Sequence, residues 1–137
     1  MTSPYTGGCA CGAIRYAIAA EPVAMLDCQC RQCQRQTGGG HASYLTFSTP
    51  DRGIRGEPRT WQAVGDGGTV KHSAFCAACG SPLFITFPAM PDIIAVRAGI
   101  LDEPQRHRPQ FVTWHAAAHG WDHLDPALPV FATMPPR

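Results

Sequence analysis

The chain has 137 residues, 45% of them hydrophobic, which suits one compact domain with a modest core. Eleven basic residues stand against ten acidic ones, for a net charge of +1 with no basic stripe, so nucleic acid is not an expected partner. No run approaches the roughly 18 apolar residues of a bilayer span, and no secretory leader is visible, so the expected location is cytoplasmic and away from membranes.

Residues 13–19 alternate, with Ile14, Tyr16 and Ile18 on one side and Arg15 on the other, and predict a half-buried strand. A short apolar strand over 23–27 follows. Residues 34–40 are polar and close on three glycines, which fits one helical turn ending on glycine or a loop needing positive φ. Strands are predicted at 42–47, 59–64 and 70–75, the last two joined by the hairpin turn Gly65-Asp66-Gly67-Gly68. Two more are expected at 83–87 and 93–99, and residues 111–119 read as a strand or a short helix. Fourteen glycines and thirteen prolines favour turns over long helices. The expected fold is mainly β: one small domain over 1–137, made of packed antiparallel sheets with little helix and stapled by metal.

Seven cysteines fall in three tight clusters: Cys9 and Cys11; Cys28, Cys30 and Cys33; Cys76 and Cys79. Cysteines one or two residues apart converge on a point, as a tetrahedral zinc site requires. A disulfide framework fits poorly, because the number is odd and Cys-x-Cys pairs bridge badly. A thioredoxin-type site would need a parallel βαβ setting, which the flanking residues do not show. Four cysteines fill a closed site and three leave a position open to substrate.

The outer pairs each precede a glycine and abut a predicted strand, so they suit the closed site. The middle three sit within six residues, beside Arg31, Arg35, Thr37 and Gly38–Gly40, which offer cationic side chains and free N–H groups to an anion. The alternative is that a histidine closes the middle site. His41, His72, His107, His115, His119 and His123 are the candidates, and His41 is nearest in sequence. His115, His119 and His123 recur every four residues, but Gly120, Trp121 and Pro126 oppose a continuous helix there.

Three stretches also resemble the glutathione-dependent formaldehyde-activating enzyme family: Gly8-Cys9-Ala10-Cys11-Gly12, the Cys28/Cys30/Cys33 cluster with Thr37-Gly38, and Phe75 to Leu83. Further matches are Gly99 to Pro104 and Trp114, Trp121, Asp125, Leu128-Pro129 and Phe131, so the resemblance runs from about 5 to 132. It implies a β-rich fold with two zincs. Cys9, Cys11, Cys76 and Cys79 would hold the structural one, and Cys28, Cys30 and Cys33 the catalytic one. Family members usually carry histidine where this chain has Gln29, a position not expected to be a ligand.

The implied activity is that of a carbon–sulfur lyase of the S-(hydroxymethyl)glutathione synthase type, with a glutathione-like thiol and an aldehyde such as formaldehyde as small-molecule partners. Arg31 or Arg35 would meet a substrate carboxylate. The alternative is a non-catalytic zinc-binding or scaffold domain with a labile or redox-sensitive second site, because three thiolates overcompensate the ion and make it a poor Lewis acid.

Overall fold

The computed structural model describes residues 3–136; Met1, Thr2 and Arg137, part of the single domain expected over 1–137, lie outside the described residues. Nine strands and one helix follow in chain order. They are β1 (Tyr5–Gly8), β2 (Arg15–Ile18), β3 (Ala24–Cys28), α1 (Arg31–Thr37), β4 (Ala42–Ser48), β5 (Arg59–Val64), β6 (Val70–Phe75), β7 (Pro82–Thr86), β8 (Ile93–Arg97) and β9 (Phe111–Thr113).

The fold is mainly β, as expected. β1 and β2 form an antiparallel pair, and the other strands make a seven-stranded sheet in the order β5-β6-β7-β8-β4-β3-β9. Every pairing in that sheet is antiparallel except β3 with β9, a departure from the purely antiparallel expectation. The parallel pair arises because β9 returns from a distant crossover and sets Thr113 opposite Cys28.

The two faces of the large sheet are covered differently. Leu45, Phe47, Ile94 and Val96 are at most 1% exposed and pack with Tyr16 and Ile18 of the small hairpin. Tyr5 meets Phe47 edge-on, with centroids 5.3 Å apart. Each such buried side chain stabilises by about 1.5–3 kcal/mol relative to exposure. The alternate residues Tyr44 and Ala95 face the other way and pack with Ile85, Cys28, Cys33 and Trp114. That second face carries α1 and the candidate site.

The β5–β6 turn closes as the glycines predict: the Gly65 N–H donates to Thr69 O at 2.9 Å, and Gly68 sits at φ 85°. The residues after β8 leave the strand for a short 3₁₀ turn, Ala98–Ile100, so that strand ends two residues before the predicted boundary. Residues 111–119 are a strand and then a 3₁₀ turn, His115–Ala117, realising both predicted alternatives in succession. The strand β1 was not predicted, since Tyr-Thr-Gly-Gly carries neither alternation nor β-branched bulk beyond Thr6.

Candidate metal centres and binding cavity

The outer pairs meet where the β1–β2 connection faces the β6–β7 turn. Two backbone bonds shape the turn: Cys76 N–H to Ser81 O at 3.0 Å and Gly80 N–H to Cys76 O at 2.8 Å. Gly80 takes φ 77°, which a side chain would resist. The four sulfurs of Cys9, Cys11, Cys76 and Cys79 lie within 4.8 Å of one another. Cys9 to Cys11 is 3.6 Å and Cys11 to Cys76 is 3.7 Å. A tetrahedron with metal–sulfur bonds of about 2.3 Å has edges of about 3.8 Å, so the donor set fits a tetrahedral thiolate metal.

Local N–H and O–H donors favour thiolates here. The Ile14 N–H donates to Cys9 Sγ at 3.2 Å and lowers its pKa. The Ser81 hydroxyl, 3.2 Å from Cys79 Sγ, and the Ser81 N–H hold that thiol down at about 5. The Ala13 N–H also favours a Cys11 thiolate, but the surrounding sulfurs outweigh it and keep Cys11 up at about 11.

The middle cluster is built by a strand end and a helix start. Cys28 closes β3, Cys30 caps α1, and Cys33 lies in its first turn. The Cys30 sulfur accepts the Cys33 N–H at 3.3 Å, in the place where a Ser or Asp oxygen usually caps. The helix therefore starts at Arg31, ahead of the polar run at 34–40, and it stops at Gly38 with φ 76°.

The three sulfurs lie within 4.8 Å of one another, and among the described residues no His, Asp, Glu or further Cys joins them. Hydrogen bonding from Cys28 and Cys33 pulls Cys30 down to about 2, and in return both neighbours are raised. Cys28 and Cys33 are 8% and 6% exposed, whereas Cys30 is half-buried and lines a cavity of about 160 Å³ with Arg31, Lys71 and Trp114. Lys71 adds to the lowering of Cys30.

The histidines fall elsewhere. His41 donates through Nδ1 to Asp122 at 2.9 Å, His115 to Gln29 Oε1 at 2.9 Å, His119 to Gln34 Oε1 at 3.0 Å, and His107 bonds Asp27 at 3.2 Å. None of the six, His72 and His123 included, joins either sulfur group. These contacts explain Gln29. Only 2% exposed, it accepts from His115 and donates to Asp122 Oδ2 at 3.0 Å, while its own carbonyl accepts from Gln34 Nε2 at 2.9 Å. Gln29 thus ties the segment between Cys28 and Cys30 to the C-terminal loop.

Sequence reasoning missed Tyr44, Lys71 and Asp122, and it met Trp114 only through the family resemblance. The Tyr44 hydroxyl lies 3.3 Å from Cys33 Sγ, placed to donate to a thiolate. Trp114 holds φ 56°, an unusual conformation for a bulky residue, and it persists because its N–H bonds Thr133 O at 3.0 Å. Lys71, Trp114 and Asp122 come from segments far along the chain and Tyr44 comes through the β3–β4 pairing, so no local motif marks them.

Fold and site together define a β-rich domain with one four-sulfur and one three-sulfur group, each suited to a soft metal ion. The model of the glutathione-dependent formaldehyde-activating enzyme family matches residues 4–117, and this chain belongs to that family. The match stops short of residue 132, where the resemblance in the sequence was placed. A Halomonas elongata protein, provisionally named a glutathione-dependent formaldehyde-activating enzyme, is 30% identical over 111 residues, covering 77% of this chain and 71% of that one. A crystal structure of a Rhodobacter sphaeroides protein is similar in fold, with a TM-score of 0.53 and 24% identity over 71% of this chain and 87% of that one.

Proposed function

We propose that this protein is a zinc-dependent carbon–sulfur lyase resembling S-(hydroxymethyl)glutathione synthase, joining a thiol such as glutathione to an aldehyde such as formaldehyde. The observation that carries the reading is the three-sulfur group of Cys28, Cys30 and Cys33, which meets no fourth His, Cys, Asp or Glu donor among the described residues and opens on a cavity through Cys30. Zinc held there would supply a soft centre that takes a substrate thiol and keeps it deprotonated. Family membership supports the same pair of substrates.

The chain's own residues fit these roles. Cys28 and Cys33 anchor the site from buried positions, and Cys30 presents the side that a thiol can approach. Lys71 places an ammonium in the same cavity, where it favours a thiolate and the oxygen charge that develops as sulfur adds to the carbonyl carbon. In that addition a C–S bond forms, the C=O π pair moves to oxygen, and a proton completes the hydroxyl, so no oxidant or reductant is needed. Trp114 and Ala117 wall the cavity against water.

Cys9, Cys11, Cys76 and Cys79 would hold a second, structural zinc that joins the small hairpin to the β6–β7 turn. A cytoplasmic setting belongs to the same proposal, because its reducing thiol pool keeps such cysteines free. No described helix is long and apolar enough to cross a membrane.

The test combines metal and activity. Protein with cobalt at the three-sulfur group should change its thiolate charge-transfer bands on adding glutathione, before any aldehyde is present. Formaldehyde and glutathione together should then form adduct faster than the uncatalysed mixture, and Cys30→Ser should lose both effects while keeping its fold. Unchanged bands with no excess rate would refute the activity and leave the non-catalytic zinc-domain reading.

A further inference from the structure

Arg97 ends β8 on the sheet face that carries α1 and the three-sulfur group, and it is only 5% exposed. A buried guanidinium is ordinarily met by a carboxylate, because an uncompensated charge out of water is costly. Arg97 has none. Among the described residues the carboxylates that meet a basic side chain are Asp102 with Arg15, Asp122 with His41 and Asp27 with His107. Arg97 Nη2 donates to Gln36 Oε1, and its Cζ lies 4.8 Å from the Tyr44 ring centroid, a cation–π contact. Nε and Nη1 are buried without an acceptor.

The side chain forms part of the wall of a cavity of about 560 Å³ between α1 and strands β5, β6 and β7. Arg35 and Trp61 share that wall, and it contains no Asp or Glu. Trp61 is 47% exposed, an unusual state for a large aromatic side chain. Two cations, an open aromatic face and no anion describe a site for a small molecule that carries a carboxylate. The volume lies within the range of about 300–1,000 Å³ typical of small-molecule sites.

We propose that Arg97 and Arg35 form a carboxylate-binding subsite in this cavity, with Trp61 as its apolar wall. Gln32 lines both this cavity and the smaller one at Cys30, and its side chain braces α1 against β5 by donating to Val64 O at 2.7 Å. A molecule long enough to span Gln32 would meet Cys30 with one end and the arginines with the other. Identifying that molecule as the thiol substrate rests on the glutathione reading above; the subsite itself does not.

The experiment measures binding to the full chain by calorimetry, with tryptophan fluorescence in parallel and Trp61→Phe as the control that assigns its change. The probes are S-methylglutathione, which has carboxylates but no free thiol, its diethyl ester, glutarate and inorganic phosphate. Both acids should bind the wild type and the diester should not. Arg35→Gln, on the surface, and Arg97→Lys, which keeps the charge but loses the two-pronged donor, should each weaken them by roughly tenfold or more.

Glutarate binding that depends on the arginines, without S-methylglutathione binding, would uphold the subsite and count against the glutathione reading. Absence of binding by either acid, binding unchanged in both variants, or equal binding of the diester would overturn the proposal. Phosphate binding more tightly than both carboxylates would overturn it too.

Discussion

Cys76→Ser and Cys79→Ser each remove one thiolate from the four-sulfur group, yet they should not cost the same. A structural zinc contributes on the order of 10 kcal/mol to folding, comparable to the whole stability of about 5–15 kcal/mol of a typical domain. With the proposed zinc in the wild-type group, both variants should lose it and melt far below the wild type. Their surroundings differ. Cys79 is exposed, so the serine hydroxyl there meets water. Cys76 is 2% exposed within the core cluster that contains Tyr16, Leu83 and Phe84, and a hydroxyl placed there without a partner costs about 1–3 kcal/mol more. For a chain of this length that difference corresponds to a further drop of about 3–10 °C.

The assay is differential scanning calorimetry with zinc per chain measured by mass spectrometry, run in a stabilising osmolyte so that both variants give a transition. Cys79→Ser keeping its zinc and the wild-type melting temperature would refute the stapling role of the group. Equal melting temperatures for the two variants would refute the argument from burial while leaving the metal in place.

Asp27 controls part of the acid response. Burial raises its pKa, but hydrogen bonds from His107 and from the Ser43 hydroxyl at 2.6 Å outweigh this and leave it below the ordinary carboxylate value. A depressed folded pKa contributes stability that is complete above about pH 4 and is lost as the pH falls through the folded value. Urea titrations of Asp27→Asn should show a flatter loss below about pH 4 than the wild type, and parallel acid limbs would contradict this. Gly40 tests the network behind the three-sulfur group, since a Cβ there would stand 2.3 Å from Asp122 Cγ. Gly40→Ala should displace Asp122 from Gln29 and His41 and cost about 1–3 kcal/mol in unfolding titrations. Adding Asp122→Gly removes every clashing atom, the Asp122 Cβ at 2.4 Å included, so the two effects should fall short of their sum, and strict additivity would count against the contact.

The cysteine clusters were legible because ligand geometry is local: Cys-x-Cys and Cys-x-x-Cys set two sulfurs side by side whatever the rest of the chain does. Val70–Phe75 and Arg59–Val64 were legible too, since their bounds follow from β-rich runs and a glycine turn. The grouping of the outer pairs was inferable from their matching glycines and flanking strands, and the structure brings those four sulfurs together. The tertiary structure alone decided what surrounds the three-sulfur group. Trp114 reaches it through the pairing of Cys28 with Thr113 on strands far apart in sequence, Tyr44 through the β3–β4 pairing, and Lys71 from β6 across the cavity. The histidines show the same limit from the other side. A histidine closing the middle site stood as the alternative, but Gln29, Gln34 and the carboxylates of Asp27 and Asp122 take four of the six as hydrogen-bond partners. A side chain's chemistry is written in its residue type, but the company it keeps depends on strand order and register, which a single sequence does not encode in any local pattern.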